Sequence, residues 1–300
     1  MFGKKWILFI ILTILVVGVY FNSLNNDFLS DDIPSIVQNK NIGEFTWPGP
    51  AFLRSYLNDA LYKIWDFNPL PYRAVNILFH LGCVYLVFIL FNKITNNKFL
   101  SFFIASVFSV HPIINEPIVW ISGGLYPQYT FFVLLSLLFY INKNKKAYYL
   151  SLIFFALALL SSEKAVIFPL IILLYDVCFD KIKKTWKKVL PYFILSGGWA
   201  LIYLSRITQR VNDLQTQFYH ENLTLNPLYQ IPTAISSYLE LFFWPEKLTI
   251  YHTEMSFGLF EFGIRALVVI LFLILIVWVY KKSKKIFFWL VFFIISLLPT

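Results

Sequence analysis

Nine apolar blocks recur along the 300-residue chain, and no other feature constrains its fold as strongly. The blocks cover residues 6–21, 72–91, 99–110, 125–141, 147–160, 165–179, 189–204, 258–280 and 286–298. Each is near, or somewhat below, the ~20 residues that cross a bilayer as a helix. Because the backbone must satisfy its own hydrogen bonds in lipid, we predict an all-α fold, a polytopic membrane helical bundle of about nine spans. With 59% apolar and 14% charged residues, the chain has more apolar surface than a soluble core could bury.

We interpret residues 1–300 as one membrane domain. The first block follows Lys4 and Lys5 but lacks a small-x-small cleavage site, which favours a retained anchor over a signal peptide. Cys83 and Cys178 both lie inside apolar blocks, where a thiol behaves as a small hydrophobic group. The sequence ends at "SLLPT" within an apolar block, and we expect a longer protein with a further C-terminal region.

The basic residues indicate which side of the membrane each loop faces. The net charge is +9, and 16 of the 25 Lys and Arg residues lie in alternate loops that hold few acids. They are Lys4, Lys5, Lys93, Lys98, Lys143, Lys145, Lys146, the five lysines of "DKIKKTWKK" (180–188) and the four of "KKSKK" (281–285). By the positive-inside rule these loops are cytoplasmic, so the charge indicates topology and not a nucleic-acid partner. The remaining loops, 22–71, 111–127, 161–165 and 206–257, are then extracytoplasmic.

Two further helices are predicted not to cross the membrane. In the first outward loop, apolar positions repeat at helical spacing over residues 51–66, which predicts an amphipathic helix along the outer surface. Residues 231–244 are short, and a full crossing there would place "KKSKK" outside. We therefore expect a re-entrant or surface helix at 231–244, with a short tilted crossing as the alternative.

The outward loops hold nearly all the carboxylates, and several also hold a base. The candidates are Asp31 and Asp32 in the first loop, His111 and Glu116 in the second, Glu163 and Lys164 in the third, and Arg206, Arg210 and His252 in the fourth. Each set also has a simpler structural explanation, such as a solvated turn, a tight reversal or a local ion pair. If the four loops enclose one cavity, carboxylates and cations together suit chemistry on a lipid-linked phosphate better than ion conduction.

Five segments in order resemble the membrane region of transmembrane and tetratricopeptide-repeat (TMTC-type) O-mannosyltransferases and their bacterial relatives, which are GT-C glycosyltransferases. They are "DDIPSIVQNKNI", "NPLPYRAVNILFHL", "HPIINEPIVWISGG", "SSEKAVIFPLIILLYD" and "WPEKLTIYH". The resemblance covers about residues 1–300 and does not include the repeats. It implies an integral-membrane enzyme that transfers a sugar from a polyprenyl-phosphate carrier to a hydroxyl of a protein or glycan on the extracytoplasmic side. The setting is the bacterial or archaeal cell membrane, or the endoplasmic reticulum in a eukaryote.

The resemblance also suggests site residues. The family's acidic pair falls on Asp31 and Asp32, its second-loop histidine and acid on His111 and Glu116, its third-loop charged pair on Glu163 and Lys164, and its pattern before the second span on Asn76 and His80. Arg73 stands where many relatives have histidine, and the order Glu163-Lys164 reverses the common one.

The implied mechanism is an inverting displacement. Asp31 or Asp32 takes the proton of the attacking hydroxyl as general base, and polyprenyl phosphate leaves as a stable anion. Glu116 orients the acceptor or helps to hold a divalent cation, the one cofactor that the residues suggest. The cations that could face the phosphate are Arg54, Arg73, Lys164, Arg206, Arg210 and His252.

Two other functions fit the same composition. A transporter or flippase of polyprenyl-linked saccharides also needs outward acids and cations, but it should show polar residues within the spans and pseudo-symmetry between halves. A non-catalytic membrane scaffold should tolerate removal of the outward charges.

Overall fold

The computed structural model describes residues 3–45, 51–142, 144–180, 182–217, 227–246, 248 and 257–298. These residues form α-helices and short helical turns, with no strand among them. The α-helices are α1 (Gly3–Tyr20), α2 (Phe52–Trp65), α3 (Pro69–Thr95), α4 (Lys98–Val110), α5 (Asn115–Val119), α6 (Leu125–Ile141), α7 (Lys145–Ser161), α8 (Phe168–Phe179), α9 (Ile182–Gln217), α10 (Pro227–Phe243), α11 (Leu259–Lys282) and α12 (Lys284–Leu297). The predicted all-α class is therefore confirmed for the described residues.

Asparagine and serine side chains set several helix starts. Asn68, Asn97, Asn144 and Ser283 each precede a helix, and each side chain accepts a hydrogen bond from a backbone N–H in the first turn. Those N–H groups have no partner within the helix, so a side-chain acceptor satisfies them. The short loops between apolar blocks thus fix where the helices begin.

All nine apolar blocks are helical, but fewer helices meet the length and composition of a membrane span. Among the described residues four candidates do so, over Trp6–Ser23, Pro69–Thr95, Ser122–Ile141 and Leu259–Lys282. A fifth arises if α4 and the segment Pro112–Val119, which are bent by 52°, form one broken span. The helices α7, α8 and α12 have 17, 12 and 14 residues, fewer than the ~20 that cross a bilayer.

The fourth predicted outward loop, 206–257, contains more helix than expected. The helix α9 continues through the predicted end of its apolar block to Gln217, and α10 occupies 17 residues of the same loop. Polar residues at the end of α9 continue the helical hydrogen bonding, so apolar content alone does not mark the end of that helix.

The chain divides into two compact units. The first comprises Met1–Ile172 and Lys187–Ala200, and the second comprises Leu173–Trp186 and Leu201–Thr300. In the first unit α3 packs against α1, α4 and α6, and α6 packs along α7. In the second unit α11 packs against α10 and α12.

The centre of the first unit is joined by hydroxyls as well as apolar side chains. Ser136 and Ser151 exchange hydrogen bonds across α6 and α7, and the Tyr192 hydroxyl of α9 donates to Ser151 Oγ at 2.7 Å. Such bonds between helices satisfy polar groups that cannot reach water. These bonds hold α6 against α7 and α9, and α6 begins at the candidate site described below.

A smaller apolar cluster supports the loop before α3. Ile36, Leu61, Tyr72 and Ile121 are buried together, with Phe28, Leu57 and Val75 packed around them. They come from the turn Ile33–Val37, from α2, from α3 and from the end of the second loop. The cluster therefore draws the first loop and the second loop into contact.

Candidate functional site

Several of the predicted polar side chains contact one short stretch, residues 118–126, which we call the site turn; they are Asp32, Arg54, Arg73, Asn76 and Lys164. The short helix α5 ends at Val119, a 3-10 turn covers Ser122–Gly124, and α6 begins at Leu125. Pro117 within α5 has no N–H to continue a helical ladder, and two glycines follow the break. The break leaves backbone carbonyls at the end of α5 and backbone N–H groups at the start of the next turn in need of partners.

Side chains from α2 and α3 bind the carbonyls of the site turn. The Arg73 Nε donates to Val119 O at 3.0 Å, and Arg54 Nη2 donates to Ile121 O at 2.8 Å. The Asn76 amide nitrogen lies 3.1–3.4 Å from the carbonyl oxygens of residues 118, 120 and 121. Cations are favourable at the carboxyl end of a helix, so the two arginines stabilise the break electrostatically as well as by hydrogen bonds.

Asp32 binds the other side of the break. Its side chain is fully buried, and Oδ1 accepts hydrogen bonds from the Ser122 backbone N at 2.7 Å and from Ser122 Oγ at 2.5 Å. Oδ2 accepts from the Leu29 N–H at 3.2 Å. Asp32 therefore holds the start of the Ser122–Gly124 turn against the first loop.

Asp31 has the opposite environment. Asp31 is exposed, whereas the adjacent Asp32 is buried. Ser30 just before them has φ of 50°, a left-handed conformation that reverses the chain. The structure thus separates the predicted acidic pair into a buried carboxylate that braces the turn and a carboxylate open to solvent.

Arg73 also ties the first loop to the site turn. Besides the bond to Val119, Nη1 donates to the Asn26 carbonyl and Nη2 donates to the Asp27 carbonyl at 2.6 Å. The residue is fully buried. Each nitrogen of this predicted phosphate-binding cation is thus engaged by the protein backbone, which gives Arg73 a structural role.

Arg54 retains donors that the described residues do not use. It is buried, and its Nε and Nη1 have no hydrogen-bond partner among the described residues. Burial lowers the pKa of its guanidinium to about 10, an effect opposed by the negative charge of Asp32 and by Tyr72, so the group stays protonated at neutral pH. Buried donors without partners are costly, which makes Arg54 the guanidinium at the site turn with capacity left to bind.

Gly124 allows Arg54 and Asn76 to approach the site turn. A Cβ at this position would lie 2.0 Å from Asn76 Oδ1 and 2.5 Å from Arg54 Nη2. The backbone φ is −61°, so the constraint is space and not conformation. Any side chain here would displace the two residues that bind the carbonyls.

The third predicted loop reaches the far end of the site turn. Lys164 Nζ lies 4.8 Å from the centre of the Tyr126 ring, and the Ser162 hydroxyl accepts from the Lys164 N–H. Burial lowers the pKa of Lys164, and the adjacent Glu163 acts in the opposite direction. Both residues are half-buried. A partly accessible ammonium therefore stands beside the turn that Asp32 and Arg54 hold.

The second-loop candidates flank the same region. His111 begins the turn Pro112–Ile114, and its Nδ1 accepts from the Ile113 N–H at 3.3 Å. Glu116 lies in the first turn of α5 and is partly exposed. Along the chain both residues immediately precede the site turn.

Four other predicted residues are not brought to the site turn by described contacts. His80 is buried in α3, where Nε2 lies 3.2 Å from the Ser109 carbonyl and the ring packs between Tyr20 and Phe108. Arg206 and Arg210 fall on the last part of α9, where side chains are not described, and His252 lies outside the described residues.

No metal centre is formed by the described side chains. Among them there is no group of three or more His, Cys, Asp and Glu residues that could hold an ion. A divalent cation near Glu116 stays a prediction.

Sequence reasoning missed the partners that complete the site. Ser122 and Tyr126 received no role, although a serine followed by two glycines after a proline-containing segment is a typical signal for a helix break with a capped start. The carbonyl groups of residues 118–121 carry no signal in the side-chain pattern, because any residue type supplies them.

The comparisons with known proteins give no relative. No protein-family model matches the chain. Searches of curated proteins and of solved structures found no match either.

Proposed function

We propose that this chain is an integral-membrane glycosyltransferase of the GT-C type that transfers a sugar from a polyprenyl-phosphate carrier to a hydroxyl of a protein or glycan. The observation that supports it best is convergence: charged side chains from the first loop, α2, α3 and the third loop all contact the nine residues of the site turn. Buried charges are costly in a membrane protein and are concentrated at functional sites. In this proposal the helices form about nine spans and the site turn faces away from the cytoplasm.

Asp31 is the general base in this mechanism. A base must reach the acceptor hydroxyl, and Asp31 is exposed whereas Asp32 is buried under three hydrogen bonds. As the acceptor oxygen bonds to the anomeric carbon, its proton passes to Asp31 and the bond from that carbon to the phosphate oxygen breaks. Asp32 acts as a positioning residue that fixes the distance between Asp31 and the site turn.

Cations beside the site turn stabilise the leaving phosphate. The electron pair of the broken bond stays on the phosphate oxygen, so negative charge grows there and no proton donor is needed. Lys164 is half-buried beside Tyr126, and Arg54 has Nε and Nη1 without described partners. We assign the phosphate to Lys164, which is partly exposed, and to Arg54, whose unused donors are buried and must be uncovered when the donor binds. Arg73 is excluded because its guanidinium nitrogens all donate to carbonyls.

The donor enters from the lipid. Helices of the first unit expose large apolar side chains, including Ile14, Leu78 and Phe103, as expected where lipid tails or a polyprenyl chain contact protein. A carrier whose chain lies along such a surface brings its phosphate to the level of the polar loops. A soluble nucleotide sugar does not require this arrangement.

The test is the turnover of purified chain with polyprenyl-phosphate mannose and added hydroxyl acceptors, both serine- and threonine-containing peptides and glycans, measured as release of polyprenyl phosphate. We expect Asp31→Asn to lower the rate by at least about 100-fold, the usual contribution of a general base. Glu44→Gln, which removes an exposed carboxylate from the same loop, is the matched control and should keep the parental rate.

Undiminished turnover in Asp31→Asn contradicts the base assignment. Failure of the parental chain to release polyprenyl phosphate from mannose and glucose carriers, combined with movement of the intact carrier across vesicles, favours the flippase alternative. These outcomes separate the residue assignment from the function itself.

A further inference from the structure

The second unit ends in an apolar hairpin with a basic end. The helix α11 stops at Lys282, Ser283 breaks the helix with φ of −153°, and α12 starts at Lys284. Ring contacts between Phe272 and Phe293 and between Tyr280 and Phe287 show that the two helices run antiparallel. We call Lys281, Lys282, Lys284 and Lys285 the basic tip.

The basic tip combines exposed charge with exposed apolar surface. All four lysines are exposed, and no Asp or Glu occurs from residue 262 to the end of the sequence. Immediately before and after the tip, Val277, Trp278 and Ile286 are 66%, 59% and 54% exposed. Contact with water is favourable for the lysines but unfavourable for the neighbouring apolar side chains. The boundary between lipid tails and headgroups accommodates both.

Aromatic rings contact two of the ammonium groups. Lys284 Nζ lies 3.4 Å from the centre of the Tyr280 ring, and Lys282 Nζ lies 6.0 Å from the Trp278 ring. Tyrosine and tryptophan side chains concentrate at the headgroup level of a bilayer. An ammonium group held against such a ring would lie at the depth of lipid phosphates.

The neighbouring helix does not cancel the charge of the tip. Phe179 near the end of α8 packs against Phe288 of α12 with ring centres 5.4 Å apart. The described carboxylates of that part of the chain, Asp176 and Asp180, could neutralise at most two of the four lysines. A positive excess therefore remains at the hairpin end.

We propose that the basic tip binds the headgroups of acidic phospholipids. Each such headgroup carries a phosphodiester anion at the depth where the lysines and rings lie, and each lysine near an acidic membrane surface strengthens association on the order of fivefold. This binding is independent of sugar transfer, because it uses residues of the second unit alone.

The test uses the full chain in detergent, titrated with phosphatidylglycerol and followed by native mass spectrometry. Replacing all four lysines (K281Q/K282Q/K284Q/K285Q) should weaken the apparent affinity for phosphatidylglycerol by roughly 25-fold or more, since at least two unneutralised lysines are lost. Phosphatidylcholine binding should change less than twofold. The arginine version of the same four substitutions should keep the preference.

A matched control removes four other exposed lysines, Lys145, Lys146, Lys187 and Lys188, as glutamine. An equal loss of phosphatidylglycerol affinity in this control overturns the proposal, because it would show a general effect of net charge. Unchanged affinity in the tip variant overturns it as well. A greater decrease of lipid binding by inorganic phosphate than by chloride at equal ionic strength would instead assign the tip to free phosphate.

Discussion

Two buried arginines bind the same turn, but they use their donors differently. Arg73 contacts three carbonyls from two segments, whereas Arg54 contacts one and leaves Nε and Nη1 without described partners. Both residues stood among the predicted phosphate-binding cations, because composition and position do not show which donors the backbone will take. The difference makes Arg73 a structural residue and leaves Arg54 available for a ligand.

This difference predicts unequal effects of two conservative substitutions. Arg73→Lys replaces a planar group that serves three carbonyls with one ammonium, so it should lower the free energy of unfolding by about 3 kcal/mol. Arg54→Lys can keep its single bond to the Ile121 carbonyl and should cost about 1 kcal/mol. Chemical denaturation of the purified variants in detergent measures both values.

The same two variants separate stability from turnover. If Arg54 faces the phosphate, Arg54→Lys should lower transfer more than its small loss of stability explains. A lysine has a single donor nitrogen, which cannot stay at the Ile121 carbonyl and also replace Nε and Nη1 toward the phosphate. If the two substitutions lower the free energy of unfolding equally, Arg73 is not more strongly bound by the protein than Arg54, and the different roles assigned to them are wrong.

The adjacent acids Asp31 and Asp32 illustrate what the sequence could and could not predict. Their types and loop were sufficient to identify a candidate site. Which of them is buried depends on the backbone reversal at Ser30 and on the partner Ser122, 90 residues away. Long-range hydrogen bonds of this kind have no local pattern.

Helices show the same division between local and distant causes. The predicted amphipathic helix at 51–66 is present as Phe52–Trp65, because apolar periodicity and helix propensity act locally. Its polar Arg54 and Asp59 are buried, whereas its apolar Ile64 and Trp65 are exposed. Arg54 binds the site turn and Asp59 Oδ1 accepts from the Gly43 N–H at 2.9 Å, so polar partners bury part of the predicted polar face. Leu61 of the apolar face is buried as predicted, and only the last turn of that face is exposed.

The break between α5 and α6 makes Gly124 a sensitive position. Gly124→Ala introduces a Cβ that would lie 2.0 Å from Asn76 Oδ1, so it should displace Asn76 and Arg54 and lower the free energy of unfolding by about 1–3 kcal/mol. Thermal unfolding followed by tryptophan fluorescence provides the measurement.

Gly18→Ala is the matched control. A Cβ at Gly18 meets nothing within 4 Å, and alanine favours a helix over glycine, so this variant should be neutral or slightly stabilised. If Gly124→Ala is as stable as Gly18→Ala, Asn76 and Arg54 do not need the close approach that Gly124 allows.

For the chain as a whole, hydropathy predicts helices better than it predicts crossings. Every apolar block is helical, yet within the described part of the chain four helices, or five with the bent pair, satisfy the criteria for a span. A helix of 12–17 residues can be buried in protein or can cross a thinned bilayer, and its sequence is apolar in both cases. The proposed topology therefore relies on a second criterion besides hydropathy, namely that lysine-rich loops lie on the cytoplasmic side.

That topology predicts the accessibility of three introduced cysteines, placed singly after Cys83 and Cys178 are changed to alanine. Asn41→Cys should react with a membrane-impermeant maleimide in intact cells, whereas Lys145→Cys and Lys284→Cys should react only after permeabilisation. Residues 41, 145 and 284 are exposed, so protein burial does not protect them.

Labelling at residue 284 shows whether α10 crosses the membrane, because a full crossing by α10 would place residue 284 on the outer side. Labelling of Lys284→Cys in intact cells, with Lys145→Cys still protected, would replace the re-entrant helix by a crossing. Protection of Asn41→Cys would place the first loop, and with it Asp31, on the cytoplasmic side and exclude the extracytoplasmic site.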